Sequence, residues 1–494
     1  MGLQTKLFHQ IGLAPHKSYP LALSLQLYGK PGLPHLLEKT GQRKSKNFSL
    51  EMQILFIQPA VGKKAHTPYT KTWQMEPLAI AVLSAITPPH IEKIFFDDRI
   101  EEIPYDHPAD LVAITLETYT ARRAYEIAAG FRKRGKTIVM GGFHATLATQ
   151  EVMQHADVVV TGQAEGIWQQ LLEDFATGKL KKLYQSKQTV ETTGIIPDRK
   201  IFQHKKYLPI GLIESSRGCT YHCEFCSVYG FYKKCYHSRN LNDIVTDIKQ
   251  SGKKFFFIVD DNIALDREKT LAFCEALKPL KINWFGQVSI HIGNDPQLLK
   301  AMHESGCIGV LIGFESFRKE NIRQMDKKVN ERNTDYQMAI DNIRKHRLMI
   351  YGTFVFGYEN DTQEDFDQVL AFARKNKLFM NAFNHLVPFP GTPMYERFKA
   401  EGKLLHENWW LMDGYTFGKA VFNPGILNAE QLTHLCYTYR KKFFTWSSIL
   451  KRSTDLKANL SSVKKAMVYF MANLSSRKDV EIRQGLPLGK NDNQ

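Results

Sequence analysis

Three cysteines stand close together at Cys219, Cys223 and Cys226, a C-x3-C-x2-C spacing. Thiolates bind soft metals and iron–sulfur clusters. At this spacing they can hold three corners of one cubane. No fourth cysteine lies at comparable distance, since Cys235 is nine residues beyond Cys226. One iron is then left open to another ligand. Two alternatives stay open: a zinc site completed by His222 or His237, or three unconnected buried thiols. A structural zinc site usually shows two paired ligand groups, and only one group is present. The chain has seven cysteines, an odd number with three clustered, which argues for a reducing compartment and a metal role over a disulfide framework.

An apolar run, Leu208 to Ile213, leads into the cysteines and reads as a buried strand, which puts them on the loop that follows. Strand and helix then alternate. Strands are expected over 254–259, 284–289, 309–316, 349–357 and 383–387, with helices between them. Six such units fit an open (β/α)6 barrel over 208–395, whose polar strand ends converge on one face. Asp260, Asp261 and Asn262 can meet an ammonium or a ribose. Gln287 and Ser289 suit ribose hydroxyls or a carboxylate. Glu315 follows a glycine-containing strand end. For Asp260 and Ser316, capping of the next helix is an equal alternative. Pro388-Phe389-Pro390-Gly391-Thr392-Pro393 reads as a rigid turn closing the barrel.

Upstream, residues 50–180 also alternate strand and helix, which argues for a doubly wound parallel sheet. Ligands bind such sheets beyond the carboxyl ends of the strands. Those ends are Gln58-Pro59, Thr115 to Thr118, Gly141 to His144 and Gly162 to Glu165. No G-x-G-x-x-G followed by an acidic residue is present, so the dinucleotide fingerprint is missing. Residues 1–49 read as a poorly ordered extension and 181–207 as a linker. Residues 396–494 read as a helical region. It contains Trp409-Trp410, a basic amphipathic helix over 429–450 and a further helix over 460–474. The amphipathic stripe is expected to pack on the barrel in preference to lying on a membrane.

At 494 residues with 43% hydrophobic and 23% charged residues, the chain reads as a globular protein of two or three domains. No apolar run is long enough for a membrane span, and the N-terminus lacks a signal-peptide core. A cytoplasmic location is expected. The formal net charge of +16 is spread along the chain and assigns no partner.

C-x3-C-x-aromatic-C after a strand resembles the radical S-adenosylmethionine (SAM) motif. The resemblance implies a 4Fe–4S cluster on Cys219, Cys223 and Cys226, with SAM chelated at the open iron and split to a 5′-deoxyadenosyl radical. It implies an adenine contact at Phe225 and SAM contacts at Asp261, Gln287, Ser289 and Glu315. The preceding region resembles the cobalamin-binding domain of one radical SAM class, through Gly141-Gly142-Phe143-His144 and Gly162-Gln163-Ala164-Glu165-Gly166. Its implied cobalamin residues are Thr115, Thr118, Gly141, Gly142, His144, Gly162 and Glu165. The cobalt-ligating D-x-H-x-x-G is absent, so His144 is read as a loop histidine bonded to backbone. The C-terminal extension resembles that of hopanoid C-2 methylase-like members. The implied activity is a cobalamin-dependent methyl transfer to an unactivated carbon, with an oxidative cyclase as the alternative. The implied partners are a small-molecule or lipid substrate and an external reductant such as flavodoxin or ferredoxin, with peripheral membrane contact in view. An RNA-modifying member would bring extra N-terminal cysteines and an RNA module, and neither is visible, which argues against nucleic acid.

Overall fold

The structure, a computed structural model, describes residues 52–63, 74–186, 190–327, 330 and 336–490. The expected extension over 1–49 lies outside the described residues.

The first layer is a six-stranded sheet. Its strands are β1 (Gln53–Gln58), β3 (Glu92–Asp97), β4 (Leu111–Thr115), β5 (Thr137–Gly141), β6 (Val158–Thr161) and β7 (Leu183–Gln185); the short β2 (Gly62–Lys63) lies outside it. The order is β3-β1-β4-β5-β6-β7 and every pairing is parallel. Chain order therefore reverses between β1 and β4, as in a doubly wound sheet. The strands are apolar because helices cover both faces. Leu78–Ile86 and Trp168–Ala176 lie on one side, and Ala121–Arg132 on the other. The stretch expected as a linker carries β7, which extends the sheet. Its sequence, Leu-Tyr-Gln, buries only Tyr184, so no apolar run marks it.

The second layer starts at β8 (Ile210–Ile213). A small antiparallel ribbon follows, β9 (Ser216–Gly218) against β10 (Tyr236–Ser238), and the cysteine loop is its connection. Then come β11 (Phe255–Ile258), β12 (Asn283–Val288), β13 (Cys307–Glu315), β14 (Met349–Phe356) and β15 (Met380–His385). These strands and β8 form one parallel sheet in the order β15-β14-β13-β12-β11-β8. Its two ends, β8 and β15, do not pair, so the (β/α)6 barrel is open. Thr392 caps the helix Pro393–Ala400 after the proline-rich turn, and Gly391 adopts φ +71°, which fits a structural role for that turn.

Helices Ala429–Phe443, Trp446–Ser453 and Val463–Arg483 are the main elements of the C-terminal region. The first buries Leu432, Leu435, Cys436, Tyr439 and Phe443, with Tyr439 and Phe443 meeting Phe383 of β15. The stripe expected over 429–450 packs on the barrel only as far as Phe443; the chain then breaks into a second helix, where Trp446 and Leu450 are exposed. The last strand, β16 (Gly489–Lys490), returns to pair with β2 in parallel.

Candidate active site

The cysteine loop is held at both ends. Buried Asp260, just past β11, accepts the backbone N–H of Ser215 at 2.7 Å and the hydroxyls of Ser215 and Ser216 at 2.5 Å. Asp260 is thus a loop anchor, neither a cap nor a ligand contact. Gly218 ends β9 with φ +79°, and a Cβ there would lie 2.0 Å from the Cys235 carbonyl oxygen, so only glycine fits this close approach. Within the loop, Glu224 accepts from Arg397 at 3.0 Å and from Tyr358 at 3.2 Å, tying the cysteines to the barrel's far end.

Cys219, Cys223 and Cys226 line one cavity of about 160 Å³. Phe225, Asp261, Gln287, Ser289 and Glu315, all five residues expected to contact SAM, line the same cavity. Burial pushes the Cys219 and Cys223 thiols up to about 12, against the opposing pull of nearby Lys327. Asn262 donates to Ser289 at 3.0 Å. Gln287 donates to the Asp261 carbonyl at 2.7 Å, while its own buried Oε1 has no hydrogen-bond partner. The register slips between Gly313 and Glu315 at the end of β13, and Glu315 adopts φ +65°. That bulge re-aims a side chain at a strand end. A left-handed backbone at a non-glycine residue marks strain held for function. Glu315 is buried and ion-paired with Lys327, a cation absent from the sequence reading. Lys327 lies beyond a helix after β13, where no strand-end pattern flags it.

A second cavity, of about 100 Å³, opens over the carboxyl ends of β4, β5 and β6. Thr115, Gly141, Gly142, Gly162 and Glu165 line it, beneath apolar side chains of the helix Leu78–Ile86. Gly142 has φ +115°, and a Cβ would meet the Leu116 carbonyl at 2.8 Å. Thr118 and His144 do not line this cavity. His144 sits on the short helix Phe143–Leu147, not on a loop, and its ring bonds side chains, not backbone. Nδ1 is 3.1 Å from Thr118 Oγ1 and Nε2 is 3.1 Å from Glu151 Oε1. Glu151 also accepts from Tyr125 at 2.7 Å and from Trp410 of the C-terminal region at 3.0 Å. Fully buried His144 is therefore spent on a latch between the first layer and the C-terminal region.

The two cavities share walls. Arg217 on β9 and Tyr232 face the second cavity, while Cys219 and Val228 face the first. Val259 and Asp261 divide in the same way. Arg217 reaches across to the first layer, 2.6 Å from Glu165 and 2.9 Å from Gln163, and is also 2.6 Å from Glu214. Burial alone would raise the Glu214 carboxyl, but Arg217 holds it below the usual range. Arg217, Glu214, Phe231 and Tyr232 were not assigned from sequence. Their only signal was adjacency to the cysteines.

Among the described residues, no three His, Cys, Asp or Glu side chains are gathered as one metal ion needs. His222 pairs with Asp326, and neither it nor His237 completes a zinc site. The donor set is three thiols facing one cavity, which fits a cluster bound at three corners.

Residues 213–373 match the Radical SAM superfamily. The chain is 32% identical over 406 residues to the bacteriochlorophyllide d C-8(2)-methyltransferase of Chlorobaculum tepidum, covering 76% of this chain and 87% of that protein. This chain belongs to the radical SAM superfamily. It is an enzyme whose cofactors include a 4Fe–4S cluster and SAM. This radical SAM chain is also 22% identical to the hopanoid C-2 methylase of Rhodopseudomonas palustris, over 68% of this chain and 66% of that one. Its fold is similar to that of the radical SAM methyltransferase TsrM from Kitasatospora setae, solved with cobalamin and a 4Fe–4S cluster. The TM-score is 0.56 at 17% identity, over 70% of this chain and 77% of that one.

Proposed function

We propose that this radical SAM enzyme is a cobalamin-dependent methyltransferase acting on an unactivated carbon of a small molecule. The observation that carries this is the pair of cavities back to back across β9. One is built from thiols and polar strand ends, the other from glycine-rich strand ends and an apolar helix. When bound, the cluster supplies the electron that splits SAM, and cobalamin carries the methyl group. Cys219, Cys223 and Cys226 hold the cluster at three corners. Phe225 offers an aromatic face to the adenine, and Asp261, Gln287, Ser289 and Glu315 offer polar contacts to the ribose and methionine ends. The unpartnered Gln287 Oε1 fits a donor on the ligand, since a buried acceptor left unmade is costly.

Thr115, Gly141, Gly142, Gly162 and Glu165 are the cobalamin candidates that the cavity supports. The glycines give a flat ligand close backbone approach, and the apolar helix keeps water from one face. His144 and Thr118 are committed to each other and to Glu151 and are withdrawn as cobalamin contacts. The relatives' names give the substrate classes to test first: a tetrapyrrole of the bacteriochlorophyllide type, then a hopanoid-type lipid. The reductant is a low-potential donor such as flavodoxin or ferredoxin, in a cytoplasm that keeps the seven free cysteines reduced.

The test is anaerobic reconstitution with iron, sulfide and cobalamin, followed by turnover. S-adenosylhomocysteine and 5′-deoxyadenosine are expected together. Formation of 5′-deoxyadenosine alone would favour oxidative ring closure and remove methyl transfer. Cys223→Ala is expected to lose cluster absorbance and SAM cleavage in one step.

A further inference from the structure

Half of the exposed large apolar side chains among the described residues fall within one short segment: Trp446, Leu450, Leu456, Val463, Met467 and Met471. Val463 is 84% exposed, Leu456 73% and Met467 59%. Val463, Met467 and Met471 are spaced i, i+4, i+8 along the helix Val463–Arg483, so they form one stripe. Trp446 and Leu450 repeat the same spacing on the helix Trp446–Ser453. The two helices lie side by side. Tyr469 donates to the Ile449 carbonyl at 2.7 Å, Arg452 to Asn473 at 2.9 Å, and Arg477 stands 5.5 Å over the Trp446 ring. Leu456 projects from the turn between them.

The charge around this face has one sign. Every exposed charged residue from 441 to 478 is basic, Lys442, Lys451, Lys457, Lys464 and Lys478 among them. The one acid in that range, Asp455, is buried against Arg344. The first exposed acid beyond it is Glu481, which pairs with Lys441 at 3.1 Å.

We propose that this helix pair is a docking surface for an anionic lipid bilayer, lying in the interface without spanning it. An apolar stripe edged by lysines is the composition of an interfacial helix: the aliphatic face enters the headgroup boundary and the cations meet lipid phosphates. No described helix is long and apolar enough to cross a membrane. A second copy of this chain is disfavoured, because a two-fold contact would face like charges across the seam. Nucleic acid is disfavoured as well, because base stacking needs aromatic faces and this stripe is aliphatic apart from Trp446. The surface lies on different helices from the amphipathic one that packs on the barrel.

Full-length protein is spun with vesicles of phosphatidylcholine alone and of phosphatidylcholine mixed with phosphatidylglycerol. Pelleting with the mixed vesicles about tenfold above the neutral ones, weakened by salt, is expected. Met467→Glu combined with Met471→Glu is expected to lower it about tenfold at an unchanged melting temperature. Combined Lys451→Gln, Lys457→Gln and Lys464→Gln is expected to remove the salt-sensitive part. Equal or no pelleting with both vesicle types overturns the proposal. So does undiminished pelleting of the glutamate variant, or a dimer in sedimentation velocity that this variant dissociates. The assay needs no turnover, so its failure is separate from failure of the methyltransferase reading.

Discussion

Asp260 acts one step away from the reacting atoms. Burial raises its carboxyl to about 6 despite the donors from Ser215 and Ser216 that pull it down. The folded value lies above the unfolded one, so folding takes up a proton between the two. This residue therefore adds stability as pH falls from about 6 towards 3.8, by at most about 3 kcal/mol. Asp260→Asn removes that contribution. The stability gap between the native chain and the variant, from urea melts, is expected to widen on acidification across this window. A gap that stays flat would refute the assignment. Glu315 belongs to the same scale. Glu315→Gln keeps the shape on the bulge and removes the charge that Lys327 pairs with. Iron content is expected to stay constant while SAM affinity falls about tenfold, roughly 1.4 kcal/mol. Undiminished affinity in a SAM titration would show that the pair is only structural.

At the level of elements, β9 joins the two halves of the site. Arg217→Met leaves Glu165 and Glu214 largely buried without their cation, an uncompensated charge that costs about 3 kcal/mol or more. The urea midpoint should drop accordingly, whereas an unchanged midpoint would mean that water already serves these carboxylates. The same element shows what sequence patterns carry. Runs such as Phe255–Ile258 and Cys307–Glu315 are apolar because both faces are covered, so the strands and their parallel arrangement were legible. The cysteines stood out by their spacing, and the gathering of Asp261, Gln287, Ser289 and Glu315 around one cavity followed from a βα repeat that puts polar strand ends on one rim. Lys327, Arg217 and Tyr232 were not, because tertiary contacts bring them to the cavities and no period marks them. His144 was misread because a glycine pair before it reads as a loop, while the chain turns at once into a helix.

For the whole molecule, the C-terminal helices are locked to the barrel by a buried cation. Arg452 donates to the carbonyls of Leu378 at 3.0 Å, Phe379 at 2.9 Å and Phe443 at 3.2 Å, and lies 3.8 Å from the Phe443 ring. Burial pulls its guanidinium down to about 10, and the carbonyls and ring hold the charge in place. Arg452→Ala strands those acceptors and opens a cavity, a loss of about 3 kcal/mol. Limited proteolysis is expected to cut the variant within the C-terminal helices and spare the native chain; equal resistance would place the lock elsewhere.

The pairing of β16 with β2 reaches further still. Residues near position 62 have their partners near position 489, with most of the polypeptide between them. On the ribosome, β2 must wait through that whole interval for its partner. A strand made early is thus among the last to be paired, and any chaperone of this enzyme would shield β2 until β16 emerges.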